Sequence, residues 1–443
     1  MANRIVLVSL ILIVWYVLRT CDLISSGTRI FFLLGFFLIL MATHTLWLLI
    51  AQRIELRKQK LFLLNHEPIN ETNKAAWHPA IDILISVKNE SSVISKTVEN
   101  FLNLNYQNYN LWVIDDCSTD NTLAILKELA ISRPHLKIVE RETGSYPGKS
   151  AALNDALAKC NAEVVAVFDA DASVDKDFFY GVLPYLETDK VGAVQVQKKI
   201  YRHQTSWLAQ CQASEYALDT YFQMGRDLIG GVVELRGNGQ IIKRSALIDV
   251  GGWNDKSITD DLDLSMRFLI NNWDIVFCPN PYVLEEAVTN LPGLIRQRTR
   301  WAEGSIRRYL DYIFPLNSIS RLSLIERIDL LAFTVFFIVP ALIGLELFLE
   351  IFRFYTGVPT HGMLLLIMAA IVLVIAQFNI VIAMQFYQPE LSLFTAIWRS
   401  FVVNAYIFAH WVPCIVKAIT KILFGKKSSK WHPTKHVGVS TIP

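Results

Sequence analysis

IDILISVKNESSVISKTVENFLNLNYQNYNLWVIDDCSTD, running from Ile81 to Asp120, is the stretch that decides the fold. Ile81 to Val87 reads as a buried strand, Ser91 to Leu104 as a helix, and Asn110 to Ile114 as a second strand that ends in Asp115 and Asp116. The alternation continues through a helix at Thr119 to Ser132, a strand at Leu136 to Val139, a helix at Lys149 to Lys159 and a strand at Glu163 to Phe168. Strands alternating with helices of this length predict an α/β domain on a mostly parallel sheet. Ligands of such sheets bind outside the carboxyl ends of the strands, where the aspartate clusters of this chain fall.

Outward from this domain the composition changes. Of 443 residues 53% are hydrophobic, which points to a membrane protein. Upstream, Ile5 to Leu18 is a short apolar run, and Ile30 to Ala51 is a longer one interrupted by Thr43, His44 and Thr45. The two read as a hairpin of spans within residues 1–60, with a signal peptide as the alternative for the first. Arg53, Arg57, Lys58 and Lys60 follow, and basic residues beside a span mark the cytoplasmic side. Residues 61–80 suit a linker, and 81–290 form the cytosolic α/β domain. Residues 291–325 open with LPGLIRQRTRWAEGSIRRYLDY, whose interleaved arginines and aromatics suit helices at an anionic lipid surface.

Residues 326–424 hold three further apolar stretches, Leu330 to Leu349, Met363 to Tyr387 and Ile397 to Val416. Glu346, Gln377, Asn379 and Arg399 within them face either other helices or water-filled space. Residues 425–443 form a basic tail. The charge rule puts that tail in the cytoplasm, yet three spans would leave it outside, so one stretch is expected to be interfacial or re-entrant unless the tail breaks the rule. The net charge of +2 gives no basis for nucleic-acid binding. The six cysteines are scattered, without the spacing of a zinc site, and read as reduced core thiols.

Four clusters carry chemistry. Asp169-Ala170-Asp171 ends a strand with two carboxylates that suit a hard cation such as Mg²⁺ or Mn²⁺, or else form a solvated turn. Asp115 to Asp120 follows another strand, where Ser118 or Thr119 can cap a helix and a carboxylate can receive donors from a nucleobase and ribose. Gly148-Lys149-Ser150 opens a helix, so Lys149 either reaches a pyrophosphate or is a surface lysine. Thr259-Asp260-Asp261 begins a helix whose dipole favours both carboxylates, one of which can be a general base.

Taken with SVKNE at Ser86 to Glu90 and QRTRW at Gln297 to Trp301, the order and spacing of these motifs resemble the family 2 glycosyltransferases. The resemblance is to the membrane-embedded branch that makes cellulose, hyaluronan and poly-N-acetylglucosamine, and it covers Ile81 to Tyr312. It implies a GT-A-type nucleotide-sugar-binding domain flanked by transmembrane helices, a UDP-sugar donor, Mg²⁺ or Mn²⁺, and inversion at the anomeric carbon. By the resemblance Asp116 binds uracil beside Asn89 and Glu90, Lys149 approaches the diphosphate, Asp169 binds the nucleotide and shares the metal with Asp171, and Asp261 is the general base. Gln297, Arg300 and Trp301 cap the acceptor end and steady the departing UDP. Asn238, within Gly237-Asn238-Gly239, and Asp260 are acceptor-side candidates, although the glycines also read as a plain turn. Lys88 and Asp260 depart from the residues usual in the family. RETGSYPGKSAALN at Arg141 to Asn154 and RWAEGSIRRYLDY look most similar to the branch that puts glucose on diacylglycerol at a bilayer. A processive polysaccharide synthase, a catalytically silent nucleotide-sugar sensor and a transporter are the alternatives.

Overall fold

A computed structural model describes residues 26–65, 77–202, 206–318, 322–357 and 362–425. The first apolar run, Ile5 to Leu18, most of the linker and the basic tail from 426 on lie outside the described residues. The rest divides into two compact units. One is built from Lys58–Tyr216 and Val233–Leu294; the other takes in the chain up to Arg57, Ala217–Val232 and the chain from Ile295 on.

The first unit carries a seven-stranded sheet: β1 (Ile81–Val87), β2 (Tyr109–Asp115), β3 (Leu136–Glu140), β4 (Val164–Phe168), β5 (Val191–Ile200), β6 (Gln240–Lys243) and β7 (Asp274–Glu285), in the order β3-β2-β1-β4-β6-β5-β7. The predicted alternation appears as α2 (Ile94–Leu102), α3 (Thr122–Ala130) and α4 (Lys149–Leu157), after a longer α1 (Ser26–Asn65) in the other unit. Residue alternation explains why β1 and β4 are apolar along their length. Ile83, Ile85, Ala166 and Phe168 join a core with Val98 and Phe101 of α2, whereas Leu84, Val165 and Val167 join another with Ala152 and Ala156 of α4. A sheet covered on both faces needs side chains of this kind on both.

Register then places the functional loops. β1 runs parallel to β2 with Val87 opposite Asp115, and parallel to β4 with Ile85 opposite Phe168. The residues that follow, Asp116 and Asp169, therefore leave the sheet at the same edge. The sheet departs from a mostly parallel one around β6, which is antiparallel to both β4 and β5. Because β6 runs the other way, its first residue, Gln240, pairs with Val167, and the preceding Gly237-Asn238-Gly239 lies at the edge where Asp169 emerges.

The second unit comprises α1, the end of α6 (Trp207–Leu228), most of α9 (Leu291–Ser318), α10 (Leu324–Thr356), α11 (Gly362–Tyr387) and α12 (Leu393–Phe424). The numbers α5 (Phe178–Val182), α7 (Arg244–Asp249) and α8 (Asp260–Ile270) belong to the first unit. Two stretches, Leu366–Tyr387 and Leu393–Phe424, are long and apolar enough to cross a membrane among the described residues. Their polar residues contact other helices: Gln377 donates to Ser400, and Asn379 Nδ2 donates to Thr45 Oγ1 at 3.2 Å. His44, the interruption in the apolar run, places Nε2 3.0 Å from Asp329 Oδ1, while Arg226 Nε and Val232 N donate to Asp329 Oδ2 at 2.8 and 2.9 Å. All three side chains are buried, and the Asp329 carboxylate is met at both oxygens where water is absent.

One charged residue interrupts the deciding strand itself. Asp82 is buried, and four donors meet it: Asn110 Nδ2 (2.9 Å) and Trp112 Nε1 (2.8 Å) at Oδ1, Asn161 N (3.0 Å) and Ala162 N (2.9 Å) at Oδ2. Burial alone would raise its pKa, but these donors outweigh it and hold the carboxyl below its ordinary value. An unfolded aspartate titrates at about 3.9, so this stabilisation is complete above that pH and is lost as pH falls through the lower folded value. Asp82→Asn turns an NH₂ toward one pair of donors and is expected to cost about 1–3 kcal/mol at neutral pH. Thermal unfolding of the solubilised chain should show a lowered midpoint whose gap to wild type narrows in acid; equal midpoints at pH 7 would refute the staple.

Candidate active site

Two groups of side chains gather at the carboxyl ends of the strands. The first surrounds Asp116, whose N–H donates to Val87 O at 2.9 Å and so continues the β1–β2 pairing by one residue. Its carboxylate pairs with Arg141, takes Gly148 N at 3.1 Å and has Lys88 Nζ at 3.4 Å. Arg141, just past β3, also donates to Asp155 Oδ2 and Tyr146 O, both at 2.7 Å, which ties the loop before α4 to Asp116.

Asn89 and Glu90 brace the same corner. Asn89 has φ of 58°, and its Oδ1 accepts from Thr119 N at 2.7 Å while its own N–H donates to Ser118 Oγ at 2.9 Å. Glu90 N donates to Thr122 Oγ1 at 2.9 Å. Ser118 and Thr119 are thus bound to the loop after β1 and do not cap a helix. With Cys117 also left-handed, at φ 57°, α3 begins only at Thr122.

The second group surrounds Asp169, Asp171 and Asp261. Lys149, the first residue of α4, pairs with Asp169, and its Nζ lies 3.4 Å from Gly237 O. Burial would lower the pKa of this ammonium, but the charges of Asp169 and Asp260 outweigh it and push the value well above the usual lysine range. Lys149 is therefore a cation inside a ring of carboxylates, which excludes the surface-lysine reading. Asp171 Oδ2 accepts from Glu286 N at 2.8 Å. Asp261, in the first turn of α8, accepts from Leu262 N at 2.9 Å. Burial, then the adjacent Asp260 charge, push its pKa up to about 6, opposed by Leu262 N–H, Lys149 and Arg236.

The loop before β6 fits between these groups because it lacks side chains where they would collide. Gly237, at φ 84°, would place a Cβ 3.3 Å from Asp261 Oδ2, and Gly239, at φ 72°, would place one 2.4 Å from Val196 Cγ2. Both glycines have a conformational and a steric reason to be glycine. Between them Asn238 is buried, accepting from Asp169 N at 3.2 Å and donating to Glu285 Oε2 at 3.0 Å. The plain-turn alternative thus gives way to a loop wedged against two carboxylates.

The structure therefore gathers Asn89, Glu90 and Asp116 in one group and Lys149, Asp169, Asp171, Asn238, Asp260 and Asp261 in the other, within the first unit. Gln297, Arg300 and Trp301 lie on the part of α9 that belongs to the second unit. There Arg298 is buried, its Nη1 donating to Gln297 Oε1 at 2.6 Å and its guanidinium lying 3.9 Å from the centroid of the Trp301 ring. Arg308 is buried as well, over Tyr309, and Arg307 pairs with Glu303 at 2.9 Å, so the arginines of this helix are not a uniform lipid-facing stripe. Lys88, Arg141, Glu285 and Arg298 were not among the sequence candidates. Only the placement of a cation after a strand, opposite an acidic strand end, hinted at Arg141.

Among the described residues no group of three or more His, Cys, Asp or Glu side chains is arranged as a metal site. A Mg²⁺-type ion commonly takes one or two carboxylates and completes its shell with phosphate oxygens and water. The Asp169–Asp171 pair fits that requirement.

The sheet, with carboxylates gathered at one edge and the short antiparallel β6 beside them, defines a GT-A-type nucleotide-sugar fold. A mannosyltransferase from Pyrobaculum calidifontis, solved with GDP-mannose and Mn²⁺, shares it with a TM-score of 0.54 and 18% identity over 88% of this chain and 99% of that one. Residues 78–304 match the model of glycosyltransferase like family 2, and the chain belongs to that family. A β-monoglucosyldiacylglycerol synthase from Synechocystis sp. is 46% identical over 237 residues, 53% of this chain and 50% of the relative, so the chain spans about half the length of that protein. The synthase of the same name from Nostoc sp. is 38% identical over 365 residues, 81% of this chain and 77% of the relative. A poly-β-1,6-N-acetyl-D-glucosamine synthase from Staphylococcus epidermidis is 29% identical over 269 residues, 59% and 64% of the two chains.

Proposed function

We propose that this glycosyltransferase moves glucose from UDP-glucose to the free hydroxyl of 1,2-diacylglycerol at a membrane, with inversion, giving β-monoglucosyldiacylglycerol. The observation that carries the reading is Asp261, a half-buried carboxyl with its pKa raised to about 6, set beside Lys149 and against the glycine loop that holds Asp169. The relatives named for this reaction support the choice of sugar and lipid.

In this reading Asp116, flanked by Lys88 and Arg141, accepts the N–H of uracil, and Asn89 and Glu90 fix the loop that carries it. Lys149 and the N-terminus of α4 face the diphosphate. Asp169 and Asp171 hold the divalent cation, Mg²⁺ or Mn²⁺, which when bound neutralises charge on the diphosphate. Asp261 takes the proton of the acceptor hydroxyl as its oxygen attacks the anomeric carbon and the C–O bond to UDP breaks, with no covalent enzyme intermediate. Asp260 sets the basicity of Asp261. The two bilayer-length helices and the basic cluster after α1's apolar stretch support a multi-pass protein with its catalytic domain facing the cytoplasm.

Two tests follow from this chemistry. A general base must be deprotonated, so the transfer rate should fall as pH drops through about 6. Asp260→Asn removes a neighbouring negative charge, lowers the pKa of Asp261 and should move the acidic limb of kcat/KM to lower pH, while Asp261→Asn should cost ~10²- to 10⁴-fold in rate. An acidic limb unmoved by Asp260→Asn would refute the assignment. Incubation of the purified chain with UDP-glucose, UDP-N-acetylglucosamine or UDP-galactose, with and without diacylglycerol, should yield a singly glucosylated lipid by mass spectrometry. A polymer ladder formed without lipid would instead identify a processive synthase.

A further inference from the structure

The end of β7 is fastened to both aspartates of Asp169-Ala170-Asp171 by separate routes, to the backbone N–H of Asp169 through Asn238 and to the carboxylate of Asp171 directly. Leu284 and Ser173 exchange backbone hydrogen bonds of 2.8 and 3.0 Å, which fixes the turn just past Asp171 against the strand. Two residues further on, Glu286 N donates to Asp171 Oδ2 at 2.8 Å. Between them Glu285 turns its side chain to the buried Asn238, whose Oδ1 accepts from the N–H of Asp169. Glu285 is itself fixed: Tyr216 O–H donates to Oε1, Lys198 Nζ lies 3.7 Å from Oε2, and its carbonyl accepts from Tyr201 N at 2.9 Å. Gln195 secures the other side of Asn238, donating to Asn238 O at 2.9 Å and accepting from Arg236 N at 2.6 Å.

Asn238 can meet Glu285 and Asp169 in only one way. Its NH₂ must face the carboxylate and its carbonyl must face the Asp169 N–H, so the charge on Glu285 sets which way the amide points. The same strand end that orients this amide supplies the N–H that holds Asp171. Support of this kind around the ligands of a cation is commonly worth ~10- to 100-fold in metal affinity.

We propose that Glu285 is a positioning residue that, through Asn238, sets the placement of Asp169 relative to Asp171 and thereby the capacity of that pair to hold a divalent cation with the donor diphosphate. Asn238 accordingly serves the donor side and not the acceptor. The proposal rests on the reading of Asp169 and Asp171 as the cation-holding pair.

The test reads Mn²⁺ binding to the full-length chain in the presence of UDP by electron paramagnetic resonance, without turnover. Asn238→Asp puts a second carboxylate against Glu285 and should weaken Mn²⁺ binding ~10- to 100-fold. Glu285→Gln should weaken it less, because the new amide can turn its oxygen to Asn238. The double variant Asn238→Asp, Glu285→Gln recreates a donor–acceptor pair with the charge exchanged and should recover most of the affinity lost by Asn238→Asp. Recovery by a second change at Glu285 is not expected of a merely destabilised loop. Should Asn238→Asp fail to fold, Tyr216→Phe removes one donor from Glu285 and should weaken Mn²⁺ binding with unchanged circular dichroism. Wild-type affinity in both Asn238→Asp and Tyr216→Phe, or no recovery in the double variant, would overturn the proposal while leaving the cation pair intact. Wild-type Mn²⁺ binding by Asp171→Ala would overturn the underlying reading and the proposal together.

Discussion

The first unit must hold several carboxylates at one edge of a sheet against their mutual repulsion. Asp116, Asp169, Asp171, Asp260 and Asp261 share this edge, and each solution differs. Asp116 is met by Arg141, Lys88 and a backbone N–H; Asp169 by Lys149; Asp171 by the peptide of Glu286. At Asp261 burial and the neighbouring Asp260 charge outweigh Leu262 N–H, Lys149 and Arg236, and its pKa rises to about 6. Burial and like charge together raise this carboxyl toward neutral pH, the property that the proposed general base needs. The rest of the domain serves this arrangement: the parallel β1, β2 and β4 aim their ends at one edge, and the reversed β6 brings in a loop thin enough to lie among the carboxylates.

Much of this was legible in the sequence because it is local. An apolar run that stops at an aspartate marks both a strand and the direction of its end, so Asp116 and Asp169 could be placed before any contact was known. The helices were legible too, although their first turns were not. Asn89 takes the Thr119 N–H and delays α3 to Thr122, and nothing near Thr119 in sequence announces a partner 30 residues away. What escaped was long-range in the same sense. The reversal of β6, the pairing of Glu285 with Asn238, and the stacking of Arg298 on Trp301 depend on residues whose proximity the fold creates.

The membrane-rich unit obeys the same accounting in a drier setting. His44 and Arg226, from two separate helices, both meet Asp329 on a third, and Gln377 and Asn379 turn their amides to neighbouring helices. For Gln377 and Asn379, which the sequence left between other helices and water-filled space, the partners are other helices.

A single displacement with Asp261 as the base and no covalent enzyme intermediate, as proposed, has its most direct consequence in the stereochemistry of the product. Proton NMR of the glucolipid made from α-linked UDP-glucose reads the new anomeric bond through its H1–H2 coupling. Inversion gives the β-anomer, with a large coupling. An α-linked product would mean retention, and would contradict both the one-step mechanism and the role of Asp261 within it.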